Sequence, residues 1–318
     1  MKARWVAGIV AWSVALPNAN ADSVVCWGND ARGATAGPAG RELIAIAGGD
    51  YWSTALREDG SLVAWGQNGG VQCDVPAEGN FVAIAAGWYH GLALTSNGSI
   101  FAWGQDSAWG HGGIVSNTPT GTGFRAVAGG GYHSLAIAED GSLEAWGRAD
   151  YGQCDVPSGN DFVAIDGGYF HSLALRSNGS IESWGDNGHD QVTNAPTGSD
   201  FSAIASGERH CVALRSDGSI LSWGSNGQGQ VSGTPMGKDF IAVDAGSFHS
   251  LALTSNGSIV SWGFNASHQV GDTPTGEGFT AIAGGGTHSL ALIPEPASMA
   301  LLALGGLAVI RRRKGATR

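Results

Sequence analysis

Apolar residues fall along this chain in short runs that return at a fixed interval. FVAIAA, HGLALT and IFAWG, within residues 81–104, come back as FRAVAG, HSLAIA and LEAWG from Phe124 and as FVAIDG, HSLALR and IESWG from Phe162. Runs of this length, bounded by Gly, Asn and Asp, predict strands and not helices. In the copy that starts at Phe81, strand A is expected over Phe81–Ala86, strand B over Leu92–Leu94 and strand C over Ser99–Trp103. Polar residues scarcely alternate with apolar ones through AIA and LAL, as in strands covered on both faces. Asn97-Gly98 marks a hairpin between B and C. Asp59-Gly60, Asp140-Gly141, Asn178-Gly179, Asp217-Gly218 and Asn256-Gly257 repeat it.

A Trp-Gly pair closes each unit, with Trp27, Trp65, Trp103, Trp146, Trp184, Trp223 and Trp262 spaced by about 39 residues. A fixed period of this size is the signature of a repeat architecture. The first pair, in SVVCWGND, has no strand A and B before it, and the last stem, FTAIAGGGTHSLAL, has no Trp-Gly after it. These two orphans complete one another if the ends of the chain pair. The prediction is an all-β, seven-bladed β-propeller of ~39-residue repeats, with three main strands per blade, closed by the N- and C-terminal strands. Small Ala and Gly suit the crowded axis, and one large Trp per blade fills the wider gap outside it.

The ends carry a different pattern. Residues 1–21 join Lys2 and Arg4, an apolar run and Ala19-Asn20-Ala21, the layout of a cleavable export signal. Residues 294–318 join Pro294-Glu295-Pro296, an apolar run over Ala297–Ile310, short for a membrane span, and a cluster of Arg and Lys. Between these ends the propeller is expected over 22–293. It holds nine Lys and Arg against 26 Asp and Glu, a net charge of about −17, which argues against nucleic acid as a partner. The four Cys fall in separate blades, so free and mostly buried thiols are expected.

Stem, turn and Trp-Gly, as in HSLALRSNGSIESWG over 171–185, resemble the regulator of chromosome condensation repeat family. In repeat length the chain is similar to β-lactamase inhibitor protein II, an exported propeller that binds its target through aromatic residues on one mouth. Pro294-Glu295-Pro296 with its apolar segment and basic tail resembles a PEP-CTERM sorting signal. That resemblance implies handling by an exosortase, residence in the envelope or extracellular matrix of a Gram-negative bacterium, and membrane contact only through the C-terminal segment before processing.

No catalytic set emerges. His90, His133, His171, His210, His249 and His288 recur at one place just after the A–B turn, with Trp52 standing first in the series. One such residue per blade cannot readily converge on a metal, so no metal or other cofactor is expected. Each imidazole is expected to bond backbone at a blade junction instead. His-Ser neighbours such as His133-Ser134 point to opposite faces of a strand and cannot act together. Asp166 and Asp244 read as local hydrogen-bond acceptors.

What varies between blades is the pair before the histidine position. Tyr51, Trp52, Trp88, Tyr89, Tyr132, Tyr169, Phe170, Arg209 and Phe248, with Trp109 from the longest linker, give one mouth the composition of a binding hot spot. The reading is a non-enzymatic binding propeller for a protein or polysaccharide. A structural matrix component without a specific ligand and a propeller lyase are the alternatives.

Overall fold

The computed structural model describes residues 22–38, 42–106 and 112–294, and every regular element in them is a β-strand. Trp109, the export signal expected over 1–21, Glu295, Pro296 and the tail to 318 lie outside the described residues. Blade 1 holds β2 (Leu43–Gly48), β3 (Trp52–Arg57) and β4 (Leu62–Gly66); blade 2 holds β5 (Phe81–Ala86), β6 (His90–Thr95) and β7 (Ile100–Gly104). Blade 3 is β8 (Phe124–Gly129), β9 (His133–Ala138) and β10 (Leu143–Gly147); blade 4 is β11 (Phe162–Gly167), β12 (His171–Arg176) and β13 (Ile181–Gly185). Blade 5 is β14 (Phe201–Ser206), β15 (His210–Arg215) and β16 (Ile220–Gly224); blade 6 is β17 (Phe240–Ala245), β18 (His249–Thr254) and β19 (Ile259–Gly263). Blade 7 takes β20 (Ala281–Gly284) and β21 (His288–Pro294) from the end of the chain and β1 (Asp22–Gly28) from its start.

The join is continuous. β1 pairs with β21 at every residue from Asp22 with Pro294 to Gly28 with His288, so the sorting motif's first proline is part of the last strand. A single further pair, Asp22 with Leu43, ties blade 7 to blade 1. The innermost strand of each blade touches that of the next, from β2 round to β20 and back to β2. Seven blades therefore form a closed circle.

Strand A starts on the face that carries the hairpins and ends on the opposite face, where strand B begins and strand C ends; these are the hairpin face and the turn face. At the second residue of β5, Val82, the ladder shifts register, and the same bulge recurs in β2, β8, β11, β14 and β17. Each hairpin is a three-residue loop and not a two-residue turn. The Gly98 N–H donates to Thr95 O at 2.9 Å and the Thr95 N–H to Ser99 O at 3.0 Å, with Gly98 at φ +80°. This is a type I turn followed by a glycine bulge.

The core lies between blades. Leu173, Leu175 and Ala164 of blade 4 pack on Phe201, Ile204, Cys211 and Trp223 of blade 5, and the equivalent residues fill the other junctions. The tryptophans are mostly buried as expected, but Trp184 is half-exposed. All four Cys are free thiols, yet only Cys211 is fully buried.

Candidate functional site

The glycine of each Trp-Gly sits at φ between +92° and +103°, where L side chains are strained. A Cβ there would come within 2.6–2.8 Å of the carbonyl just before strand B, as at Gly104 with Tyr89 O. That closeness brings the start of each linker onto the turn face. The Gln105 N–H, for instance, donates to Tyr89 O at 2.9 Å.

Each indole then reaches the preceding blade's linker. Trp103 Nε1 donates to Gln72 O at 2.8 Å, Trp184 to Gln153 O, Trp223 to Gln191 O and Trp262 to Gln230 O. Trp65 reaches Ala34 O, Trp146 Ile114 O, and Trp27 donates across the closure to Gln269 O at 3.0 Å. The buried glutamines hold their own loops, as Gln153 Oε1 does by accepting from Tyr151 N–H at 3.0 Å. They stand seven residues after a Trp-Gly tryptophan in five blades, a spacing visible in the sequence that the strand pattern passes over.

The histidines do not bond backbone through their outer nitrogen. His90 Nε2 lies 2.8 Å from Ser134 Oγ of the next blade, and His133 pairs with Ser172, His210 with Ser250, His249 with Ser289 and His288 with Ser53. His171 meets Cys211 Sγ at 3.2 Å. The residue after the histidine position, Ser in five blades and Cys211 in blade 5, thus serves the histidine one blade back. Each ring packs against the glycine three residues earlier, where a Cβ would meet His90 Cε1 at 2.2 Å. Burial holds His90, His133, His171 and His249 at a pKa of about 3 and His210 and His288 at about 4, so all six are neutral. Trp52 takes the histidine's place in blade 1, is 0% exposed, and donates Nε1 to Trp88 O. It belongs to the blade junctions and not to the mouth surface. Among the described residues no group of three or more His, Cys, Asp or Glu converges as metal ligands do.

Asp166 and Asp244 do more than cap locally. Asp166 accepts from Gly167 N–H and from Ser206 N–H of blade 5, and Asp244 from Ala245 N–H and from Gly284 N–H of blade 7. Burial raises both carboxyls, Asp166 to about 8 and Asp244 to about 6.

The middle residue of each three-residue A–B turn faces the next blade across the axial ring: Asp50, Trp88, Gly131, Tyr169, Glu208, Ser247 and Gly286. Their N–H groups donate from blade to blade, Asp50 to Trp88 O, Trp88 to Gly130 O, Gly131 to Gly168 O, Tyr169 to Glu208 O, Glu208 to Ser247 O, Ser247 to Gly285 O and Gly286 to Gly49 O. The mouth is therefore a closed backbone belt with a fixed diameter. At Gly131 a Cβ would strike Tyr169, and the gap lets Tyr169 lie against Trp88 of blade 2, ring centroids 4.3 Å apart.

The sequence model of the Regulator of chromosome condensation (RCC1) repeat matches residues 81–108, 124–153, 162–191, 201–230 and 240–269. This chain carries five RCC1 repeats. The RCC1-repeat propeller also matches the PEP-CTERM protein-sorting motif over 292–314, which marks it for export and sorting to the envelope in bacteria. No curated protein matches it. Its fold is similar to that of Prp20p from Saccharomyces cerevisiae, described with its binding properties to Gsp1p and histones, at 21% identity over 90% of this chain and 95% of that one, TM-score 0.74. Yeast RCC1 (Prp20) with Kap60 bound aligns at 20% identity over 95% and 96%, TM-score 0.75. Human WBSCR16 aligns at 17% over 86% and 99%, TM-score 0.69.

Five of the expected mouth residues form one packed cluster in the RCC1-repeat propeller. Tyr132, 2% exposed, is its floor, with Tyr89 at 5.6 Å, Tyr169 at 5.3 Å and Phe170 at 5.7 Å between centroids. Trp88, Tyr89, Tyr169 and Phe170 are half-buried above it. Two members come from the next linker, Tyr151 stacked on Phe170 at 4.5 Å and Arg148 with its guanidinium 4.8 Å from the same ring. Neither shows in the blade-to-blade variation of the turns, because both lie beyond strand C.

The other expected residues stand apart. Tyr51 is covered by the Arg32 guanidinium at 4.5 Å, and Phe248 meets Phe264. Arg209 is tied to Glu208 at 3.3 Å and to His189 at 2.8 Å. Two acids complete the axial ring, and the search for aromatics passes them by. Burial pushes Asp50 up to about 7, with Arg32 pulling it back and Glu208 adding to the rise. Burial also raises Glu208, which Arg209 partly offsets.

Proposed function

We propose that this chain is an exported, envelope- or matrix-associated protein of a Gram-negative bacterium. In this reading it catalyses no reaction and binds a partner protein through the aromatic turn face. The observation that carries the reading is the packed sheet of Trp88, Tyr89, Tyr132, Tyr151, Tyr169 and Phe170, placed where the repeats do not demand large residues. Aromatic anchors on a rigid, belt-closed surface lose little conformational entropy on binding, which favours tight association. Relatives in fold bind proteins, Prp20p being described with Gsp1p and histones.

The path of the last strand supports the same reading. β21 runs from His288 on the turn face to Pro294 on the hairpin face, and the sorting segment follows at once. A chain held at a membrane by that segment turns its aromatic mouth outward, toward a partner. The export signal over 1–21 and cleavage near Pro294-Glu295-Pro296 belong to this proposal.

The test is affinity capture from the producing cell's envelope with the protein and with a Trp88→Ala, Tyr89→Ala, Tyr169→Ala, Phe170→Ala variant. Loss of a specific protein band in the variant supports the reading. Identical captured material from both sinks it in favour of a structural matrix component.

A further inference from the structure

The axial ring contains one carboxyl group that the fold does not use. Asp50 is 9% exposed, and no donor among the described residues hydrogen-bonds its side chain. Buried carboxylates are normally satisfied, because an unpaired one loses its water without compensation. Oδ1 of Asp50 lies over the backbone of Gly286, 2.3 Å from where a Cβ on that glycine would be. The carboxyl group thus occupies the axial position that Gly286 leaves empty, at the centre of the mouth.

Its charged neighbours are already committed. Arg32 donates to Gln67 Oε1 and lies on Tyr51, and Glu208 holds Arg209. The next residue round the belt is Trp88, whose carbonyl accepts the Asp50 N–H at 3.4 Å. Burial raises the Tyr89 hydroxyl above its usual range, and the negative charge of Asp50 adds to the rise. A carboxyl group without a bonded donor, next to the turn that carries Trp88 and Tyr89, has the chemistry that holds an ammonium group, which keeps it ionised and gains cation–π contact with those side chains. The net charge of about −17 between residues 22 and 293 favours approach of a basic partner.

We propose that the mouth contains a seat for one lysine side chain of a partner polypeptide, with Asp50 as its counter-ion and Trp88 and Tyr89 as its walls. The proposal rests on the reading that this face binds a protein. Lysine suits the seat because its compact ammonium, at the tip of a flexible, unbranched stem, brings three donors to one carboxylate.

The experiment uses the full-length protein and three probes: pentalysine, side-chain-acetylated pentalysine and a glucosamine pentamer, with binding read by tryptophan fluorescence. Pentalysine is expected to bind and the other two are not. Asp50→Asn is expected to weaken pentalysine binding at least tenfold at unchanged melting temperature, and Asp50→Ser repeats the test if the amide fails to fold. Glu208→Gln, whose carboxylate is tied to Arg209, is expected to change binding less than threefold. Equal binding of the acetylated peptide, stronger binding of the glucosamine pentamer, or wild-type affinity in Asp50→Asn each overturns the seat. If Asp50→Asn still captures the envelope partner and the quadruple aromatic variant does not, the seat fails while the mouth reading stands. If the quadruple variant captures as the wild type does, the mouth reading fails.

Discussion

Six neutral imidazoles, each spanning a blade junction, make the stability of this protein depend steeply on pH. Burial depresses their pKa values from about 6.5 to about 3 or 4, so the stability they confer is present above pH 6.5 and is lost as pH falls through that window. Asp50, Asp166 and Asp244 act in the opposite sense. Their raised values, about 7, 8 and 6, favour the fold at low pH and withdraw that support as pH rises through 6 to 8. The two sets balance near pH 7, where stability should peak. Around pH 5, unfolding takes up about three net protons, a slope of about 4 kcal/mol per pH unit. Denaturant titrations at pH 5, 6 and 7 check this; equal unfolding free energies at all three would contradict it. The recurrence of the six histidines was plain in the sequence, but their partner was not. A serine one position along points away from its own histidine, and only the stacking of one blade on the next brings it to the neighbour's.

At the level of the blade, the odd junction explains itself. Where Trp52 replaces the histidine of blade 1, Gly91 replaces the serine of blade 2, and Trp103 fills the place that a Cβ on Gly91 would take at 2.2 Å. The Trp52 and Trp103 rings meet edge to face at 6.4 Å. Gly91→Ser alone should therefore destabilise the protein, and Trp52→His should relieve part of the cost by restoring the pairing of the other junctions. A double-mutant cycle on melting is expected to give a favourable coupling of about 1–2 kcal/mol; additive effects would refute the exchange. Trp103→Ala should cost about 3–5 kcal/mol, and the half-exposed Trp184→Ala less. Strand positions were legible because each run is short and bounded by turn residues. The bulge at Val82 and its equivalents was not, since it arises where strand A must bend to begin beside the axis. Tyr151 and Arg148 escaped for a similar reason: the linker that carries them to the mouth has no repeating apolar pattern.

Across the whole molecule, closure is carried by the same bonds that join any two blades. Trp27 and Trp103 are both 5% exposed and both donate to the preceding linker. Trp27→Ala should accordingly cost as much as Trp103→Ala, about 3–5 kcal/mol, whereas a fraying terminus would lose under about 1 kcal/mol. The complementary orphans at the two ends make this join readable from the sequence. The seven-membered backbone belt at the mouth is not, because its bonds run through main-chain N–H groups that residues as different as Gly131, Trp88 and Glu208 all supply. That belt gives the aromatic cluster and Asp50 a rigid frame on the face opposite the chain's exit. Hydrogen exchange of the full-length protein, alone and with its captured envelope partner, tests this division of faces most directly. The account predicts protection at residues 87–89, 131–132, 149–152 and 168–170, with the hairpins at 96–99 and 177–180 unchanged. Protection confined to those hairpins, with the turn face unaltered, would contradict it.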